Sequence, residues 1–246
     1  MSYNNILHVA LLVLTCLEAV RGQARIVGGG TTPIAQNPFV VNIRDNGGKL
    51  VCGGSLVDPR FVVSAASCIK PYKANQLTVQ GGAQMFSNPG VRRKIDRIIY
   101  PANYDNVTLD YDVVVLRLGN ELTGTNIGTI NLRTSGVPVG ANLKVLGWGR
   151  LSENGENSNA LQSVLVAAIS KEDCLQSYEL TATMFCAKGP NADACEGDGG
   201  GPAVLNNELA GIVSWGFGCA RPNYPGVYTS VAKVAPFINQ AISNNS

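Results

Sequence analysis

The sequence predicts an all-β domain, a sandwich or a barrel, and three observations carry that prediction. Short apolar runs rich in β-branched residues recur along the chain, turn signals separate them, and no alternating series of helices lies between them. In order, the runs are Phe39–Ile43, Phe61–Val63, Asp112–Leu118, Leu143–Leu146 and Leu209–Val213. The turn signals are Asp45–Gly48, Gly81-Gly82, Asn154-Gly155 and Asn206-Asn207. Two helical segments are expected. Ser170–Asp173 has a capping-box pattern ahead of Cys174. Near the end, Val234, Phe237, Ile238, Ala241 and Ile242 form one apolar stripe of a closing amphipathic helix. The cluster Arg92, Arg93, Lys94 and Arg97 alternates with Val91, Ile95 and Ile98 and reads as a solvated strand face.

Composition narrows the function. Within 246 residues, Lys+Arg total 19 and Asp+Glu 17, a formal charge of +2. That near balance argues against a dedicated nucleic-acid or polybasic membrane binder, which needs a charge excess. Only 15% of residues are charged while 45% are hydrophobic, which argues against a disordered chain.

The N-terminus carries its own signal. Residues 6–17 are an apolar run, too short to span a bilayer as a helix but suited to the core of a secretory signal. We therefore expect a signal peptide over residues 1–22, a short propeptide over 23–25 and a working domain over 26–246. Removing the signal takes away Cys16 and His8, so the 7 cysteines become six and the 1 histidine becomes none. Six cysteines in an exported chain read as three disulfides in an oxidising compartment, their pairing left open by the sequence.

Several motifs together resemble the chymotrypsin/trypsin family of serine proteases. They are Arg25-Ile-Val-Gly-Gly29, Ser64-Ala-Ala-Ser-Cys68, Asp110–Leu116, Cys195-Glu-Gly-Asp-Gly-Gly-Gly-Pro202, Val213-Ser-Trp-Gly216 and Pro225-Gly-Val-Tyr228. The resemblance implies two six-stranded antiparallel β-barrels with a cleft between them and a C-terminal helix. It also implies the disulfides Cys52–Cys68, Cys174–Cys186 and Cys195–Cys219. The triad positions fall on Ser67, Asp112 and Gly199, of which only Asp112 has the family's residue type. A serine hydroxyl needs an adjacent imidazole to take its proton. Ser67 is too weakly basic for that work, and Gly199 has no side chain. With no histidine left after signal removal to stand in from elsewhere, we expect no enzyme; zinc would want histidine ligands and the thiols are committed to disulfides, so no metal site and no cofactor are expected.

The resemblance also implies recognition parts. Asp193 falls at the floor of a primary pocket walled by Ser214, Gly216 and Gly226, a combination that selects Arg or Lys. Gly197 and Gly199 offer backbone N–H groups of the oxyanion-hole kind. Arg25 is the activation junction, and the Ile26 ammonium released by cleavage there would pair with Asp198. Asn106-Val-Thr108 is a glycosylation sequon in a predicted loop. The function expected is that of a secreted, non-catalytic, monomeric homologue. It would bind extracellular proteins, proteases or a peptide's Arg/Lys side chain as cofactor, decoy or regulator. Neither nucleic acid nor, after signal removal, membrane is expected as a partner. Two other classes stand beside it: an active trypsin-like endopeptidase cleaving after Arg or Lys, and an interaction module using an outer surface.

Overall fold

A computed structural model describes residues 28–246. The expected signal peptide, propeptide and the junction at Arg25 and Ile26 lie outside the described residues, as do Cys16 and His8.

The strands, in chain order, are β1 (Gly30–Thr31), β2 (Val40–Asp45), β3 (Leu50–Asp58), β4 (Phe61–Ser64), β5 (Leu77–Gly81), β6 (Val91–Ile99) and β7 (Val114–Leu118). There follow β8 (Asn131–Leu132), β9 (Asn142–Gly147), β10 (Gln162–Ala168), β11 (Met184–Lys188), β12 (Pro202–Leu205), β13 (Glu208–Trp215) and β14 (Gly226–Ser230). Strands β2-β3-β4-β7-β6-β5 close into one antiparallel barrel. A second barrel runs β9-β10-β11-β14-β13-β12 and closes because β9 pairs with both β12 and β10. The all-β expectation thus resolves into two closed six-stranded barrels. Closure removes the exposed strand edges that an open sheet would carry.

Alternation along the strands fills each barrel. Val41, Ile43, Leu56, Val62, Val79 and Leu116 pack inside the first. Leu143, Val145, Val164, Val166, Ala203 and Tyr228 do so in the second. A third cluster joins the barrels: Phe39, Val63, Val115, Trp148, Leu161 and Ile212, together with Val234 and Ile238 of a C-terminal helix. That helix, α3 (Val231–Ser243), follows α1 (Ala66–Ile69) and α2 (Lys171–Leu175). Its expected stripe faces inward, with Val234, Ile238 and Ala241 buried and Phe237 and Ile242 partly so. At α2 the Ser170 hydroxyl accepts the Asp173 N–H at 3.0 Å, the N-cap half of the capping box its pattern predicts. Between β12 and β13, Asn206 and Asn207 both adopt positive φ, at 52° and 62°, as a two-residue hairpin turn demands.

One element is shorter than expected. Strand β7 begins at Val114, not Asp112. Leu109 and Tyr111 both take left-handed φ just before it, and the Asp112 carboxylate turns out of the ladder to accept hydrogen bonds from Ser67 and Ser214. The disulfides Cys52–Cys68, Cys174–Cys186 and Cys195–Cys219 are all formed.

Candidate ligand cleft

Strand register brings the expected positions together. Ser64 of β4 lies opposite Val114 of β7 in an antiparallel pair. The residues just after β4 therefore meet those just before β7, which puts Ser67 of α1 beside Asp112. The Ser67 N–H donates to Asp112 Oδ1 at 2.7 Å and its hydroxyl to Oδ2 at 2.9 Å. Ser214 reaches the same Oδ2 at 2.6 Å from β13. It can do so because β13 is irregular between Val213 and Trp215, a bulge that re-aims the intervening side chain. Asp112 is wholly buried. Desolvation raises its carboxyl above the ordinary range, and the hydrogen bonds from Ser214 and Ser67 offset part of that rise.

A cavity of about 640 Å³ opens beside Ser214, with Asp193, Gly197, Gly199, Gly216, Gly226 and Tyr228 also in its lining. Asp193 is buried, 4% exposed, and its Oδ2 accepts the Ala220 N–H at 3.1 Å. Its Oδ1 is buried without a hydrogen-bond partner among the described residues. Burial lifts the Asp193 carboxyl to about 6, the N–H groups of Ala220 and Ala194 pulling the other way. An unsatisfied buried carboxylate oxygen calls for a donor that the described residues do not supply. The walls leave room for one. A Cβ at Gly226 would lie 2.7 Å from Asp193 Oδ1, so glycine is what keeps that approach open. At Gly216 a Cβ would meet nothing nearer than 3.8 Å.

The backbone from Cys195 to Gly201 is held from both sides. Asp198, fully buried, accepts the Gly149 N–H at 2.8 Å and the Cys195 N–H at 3.0 Å. Desolvation lifts its carboxyl to about 7. The Gly199 carbonyl accepts from Gly53 N–H at 2.8 Å, and Gly200 donates to the Val213 carbonyl at 2.8 Å. Gly197 and Gly199 donate to no acceptor among the described residues. Gly197 has φ +95°, and a Cβ at Gly199 would find only Cys68 Sγ, at 4.0 Å.

Sequence reasoning missed the rim of this cleft. Arg150 pairs with Glu196 at 2.6 Å, and Arg221 pairs with Glu153 while lying over the Phe217 ring. It also did not single out the Tyr228 hydroxyl in the cavity lining, buried without a partner among the described residues, whose phenol burial pushes well above its ordinary value. Glu153 and Arg221 are 68 positions apart, so no local pattern announces their contact. Asn106 is exposed in its loop, and Arg92, Lys94 and Arg97 are exposed along β6. Among the described residues no cluster of potential metal ligands occurs.

The fold and cleft define a two-barrel protein with a pocket floored by a carboxylate between its barrels. The trypsin family model matches residues 26–238, and the chain belongs to that family. It is 37% identical over 232 residues to Trypsin 5G1 of Aedes aegypti, covering 91% of this chain and 87% of that protein. It is 35% identical to the vitellin-degrading protease of Bombyx mori, covering 91% and 88% respectively. It is 36% identical to a trypsin of Xenopus laevis, covering 96% and 98%. These similarities correct one expectation. The expectation that the chain is no enzyme does not stand against relatives named as trypsins and as a protease. It drew on residues 67 and 199 and on the loss of the single histidine with the expected signal, whereas the likeness extends over nearly the whole chain.

Proposed function

We propose that this is an exported trypsin-family protein that engages extracellular polypeptides through an Arg or Lys side chain seated on Asp193. The observation that carries the reading is the buried, unpartnered Oδ1 of Asp193 at the end of an open-walled cavity. A guanidinium or ammonium there forms a charge-assisted hydrogen bond that no described residue provides. Three disulfides support export to an oxidising compartment. Partner proteins, including proteases and their substrates, are then recognised by a basic side chain.

The relatives' names favour a second reading, in which recognition goes on to peptide-bond cleavage after Arg or Lys. Gly197 and Gly199 offer N–H groups for a developing oxyanion. Since Gly199 lacks a side chain and Ser67 occupies the site beside Asp112, attack on the carbonyl in that reading falls to water or to another hydroxyl. One experiment serves both readings. Benzamidine binding is measured by calorimetry for wild type and Asp193→Ala, and turnover of a fluorogenic Arg peptide is followed on the same homogeneous samples. Binding lost in Asp193→Ala supports recognition, and equal binding in both overturns it. Turnover that copurifies with wild type and vanishes in Asp193→Ala supports cleavage, while its absence from wild type rejects cleavage.

A further inference from the structure

The solvated face of β6 carries positive charge that the fold does not compensate. Arg92 and Lys94 stand two residues apart on it, roughly 7 Å along the strand, and both are exposed. The pairing with β7 is irregular between Ile95 and Arg97. That bulge lets Ile95 and Ile98 both pack into the first barrel and leaves Arg97 outside with Arg92 and Lys94. Neutral acceptors hold these cations in place. Arg92 Nε donates to Gln80 Oε1 at 2.6 Å, Arg93 Nε to the Glu121 carbonyl at 2.7 Å, and Arg97 Nη1 to Asn245 Oδ1 at 2.7 Å. Among the described residues none of Arg92, Arg93, Lys94 and Arg97 forms an ion pair, and the strand's own acid, Asp96, is taken by Arg117.

The excess continues beneath the surface. Arg44 of β2 is 4% exposed, lies over the Phe86 ring, and donates to Asn42 Oδ1 and the Phe86 carbonyl, again with no carboxylate. Asn42 pairs with Gln80, and Gln80 with Arg92, so two amides separate the two guanidiniums. Burial and the charge of Arg92 push the Arg44 guanidinium down to about 10. A groove of about 510 Å³ beside Arg92, Arg93 and Lys94 leaves the outer cations open to a ligand.

We propose that this face is a docking surface for a linear sulfated polysaccharide. Sulfate groups take guanidiniums through paired hydrogen bonds and an ammonium as a point charge. Other polyanions fit less well. Strand β6 is bonded on both sides, to β5 and β7, so an acidic peptide cannot add to it as a further strand. Among the described residues, none of the exposed large apolar side chains lies on β5, β6 or β7. The face thus lacks an anchor for a protein hot spot or for insertion into an anionic bilayer. Those strands also hold no aromatic residue on which a nucleic-acid base could stack. A sulfated sugar chain needs none of these, because it offers charge and hydroxyls in a row. The formal charge of +2 for the whole chain does not oppose such binding, since salt at about 0.1 M confines each charge's reach to roughly 10 Å. The surface shares no residue with the lining of the Asp193 cavity, so an anchored protein keeps its cleft free.

The test is calorimetric: a size-defined heparin oligosaccharide is titrated into the full exported protein at neutral pH and about 0.1 M salt. Arg92→Gln/Lys94→Gln/Arg97→Gln is compared with Lys171→Gln/Lys188→Gln/Lys233→Gln, which removes the same charge from exposed positions elsewhere. Circular dichroism checks that both fold. We expect the β6 variant to bind about ten-fold more weakly, since exposed ion pairs contribute up to a few-fold each, and the other variant to bind as wild type. Lys94→Gln alone leaves the Gln80 and Asn245 hydrogen bonds intact and should still cost a few-fold, which keeps the test decisive if the triple variant misfolds. Equal loss in the two triple variants would reduce the effect to net charge and overturn the proposal, as would absence of binding by wild type. Equally tight binding of the desulfated oligosaccharide, or of an oligonucleotide of equal charge, would overturn the choice of partner.

Discussion

Ser67 and Asp112 are joined twice, backbone N–H to Oδ1 at 2.7 Å and hydroxyl to Oδ2 at 2.9 Å. The carboxylate is buried, and these bonds with Ser214 are what keep its charged form tolerable. Ser67→Ala removes one donor. The Asp112 carboxyl should then titrate higher still, and stability should drop by about 1 kcal/mol. Carboxyl-detected NMR titration and urea unfolding of the two proteins check both effects; an unmoved or lowered titration would contradict the assignment.

Gly226 guards the approach to Asp193, since a Cβ there would lie 2.7 Å from Oδ1 and 3.2 Å from Tyr228 Cε2. Gly226→Ala should therefore weaken benzamidine at least about ten-fold, a loss of roughly 1.4 kcal/mol. Circular dichroism distinguishes this local effect from misfolding, because the native spectrum should persist.

Binding of a cation to Asp193 requires the ionised carboxylate, and burial sets its titration in the unliganded protein at about 6. Benzamidine affinity should hold above that pH and fall by up to about ten-fold per unit below it. Affinity measured from pH 4.5 to 8 tests this. A flat profile would show that Asp193 is not the counter-ion.

Asp198 titrates at about 7 in the folded chain against an ordinary value of 3.8. Between those values the native state holds a proton that the unfolded chain has released. Its contribution is therefore fully present below about pH 4 and is lost as pH rises through about 7, a swing on the order of 4 kcal/mol. The difference in unfolding free energy between wild type and Asp198→Asn, followed from pH 4 to 8, should show that slope. Should cleavage at Arg25 bring an Ile26 ammonium to Asp198, as the family resemblance implies, the slope is expected to diminish and benzamidine affinity to increase. Equal affinity in cleaved and uncleaved protein would mean that cleavage does not act on the pocket.

Gly199 sits outside the left-handed region with open space around its Cα. Gly199→Ser restricts the unfolded chain without native strain and should stabilise the protein by about 0.4–1 kcal/mol. A melting temperature below that of wild type would mean that the volume is not free.

Much of the fold is legible in the chain, for identifiable reasons. The runs Phe61–Val63, Leu143–Leu146 and Leu209–Val213 are β-branched or apolar segments bounded by turn residues, and they lie in β4, β9 and β13. Asn206-Asn207 tolerates the positive φ its hairpin needs. Sequence-local physics ends at the ends of strands. The apolar pattern runs back through Val113 and so places the start of β7 two residues early, whereas long-range hydrogen bonds from Ser67 and Ser214 pull Asp112 aside.

The chain alone supplies an inventory: six cysteines after Cys16, glycine at 199, serine at 67, carboxylates at 112, 193 and 198, and recurrent strand-forming runs that mark an all-β domain. Folding in three dimensions assigns each its part. It pairs the cysteines, aims Ser67 and Ser214 at one oxygen of Asp112, and leaves one oxygen of Asp193 without a partner. The cause is that burial and hydrogen-bond satisfaction depend on neighbours far along the chain, as Ser214 is from Asp112 at a separation of 102. Composition and periodicity act only along the chain, whereas a carboxylate's charge is settled by the atoms that surround it in space.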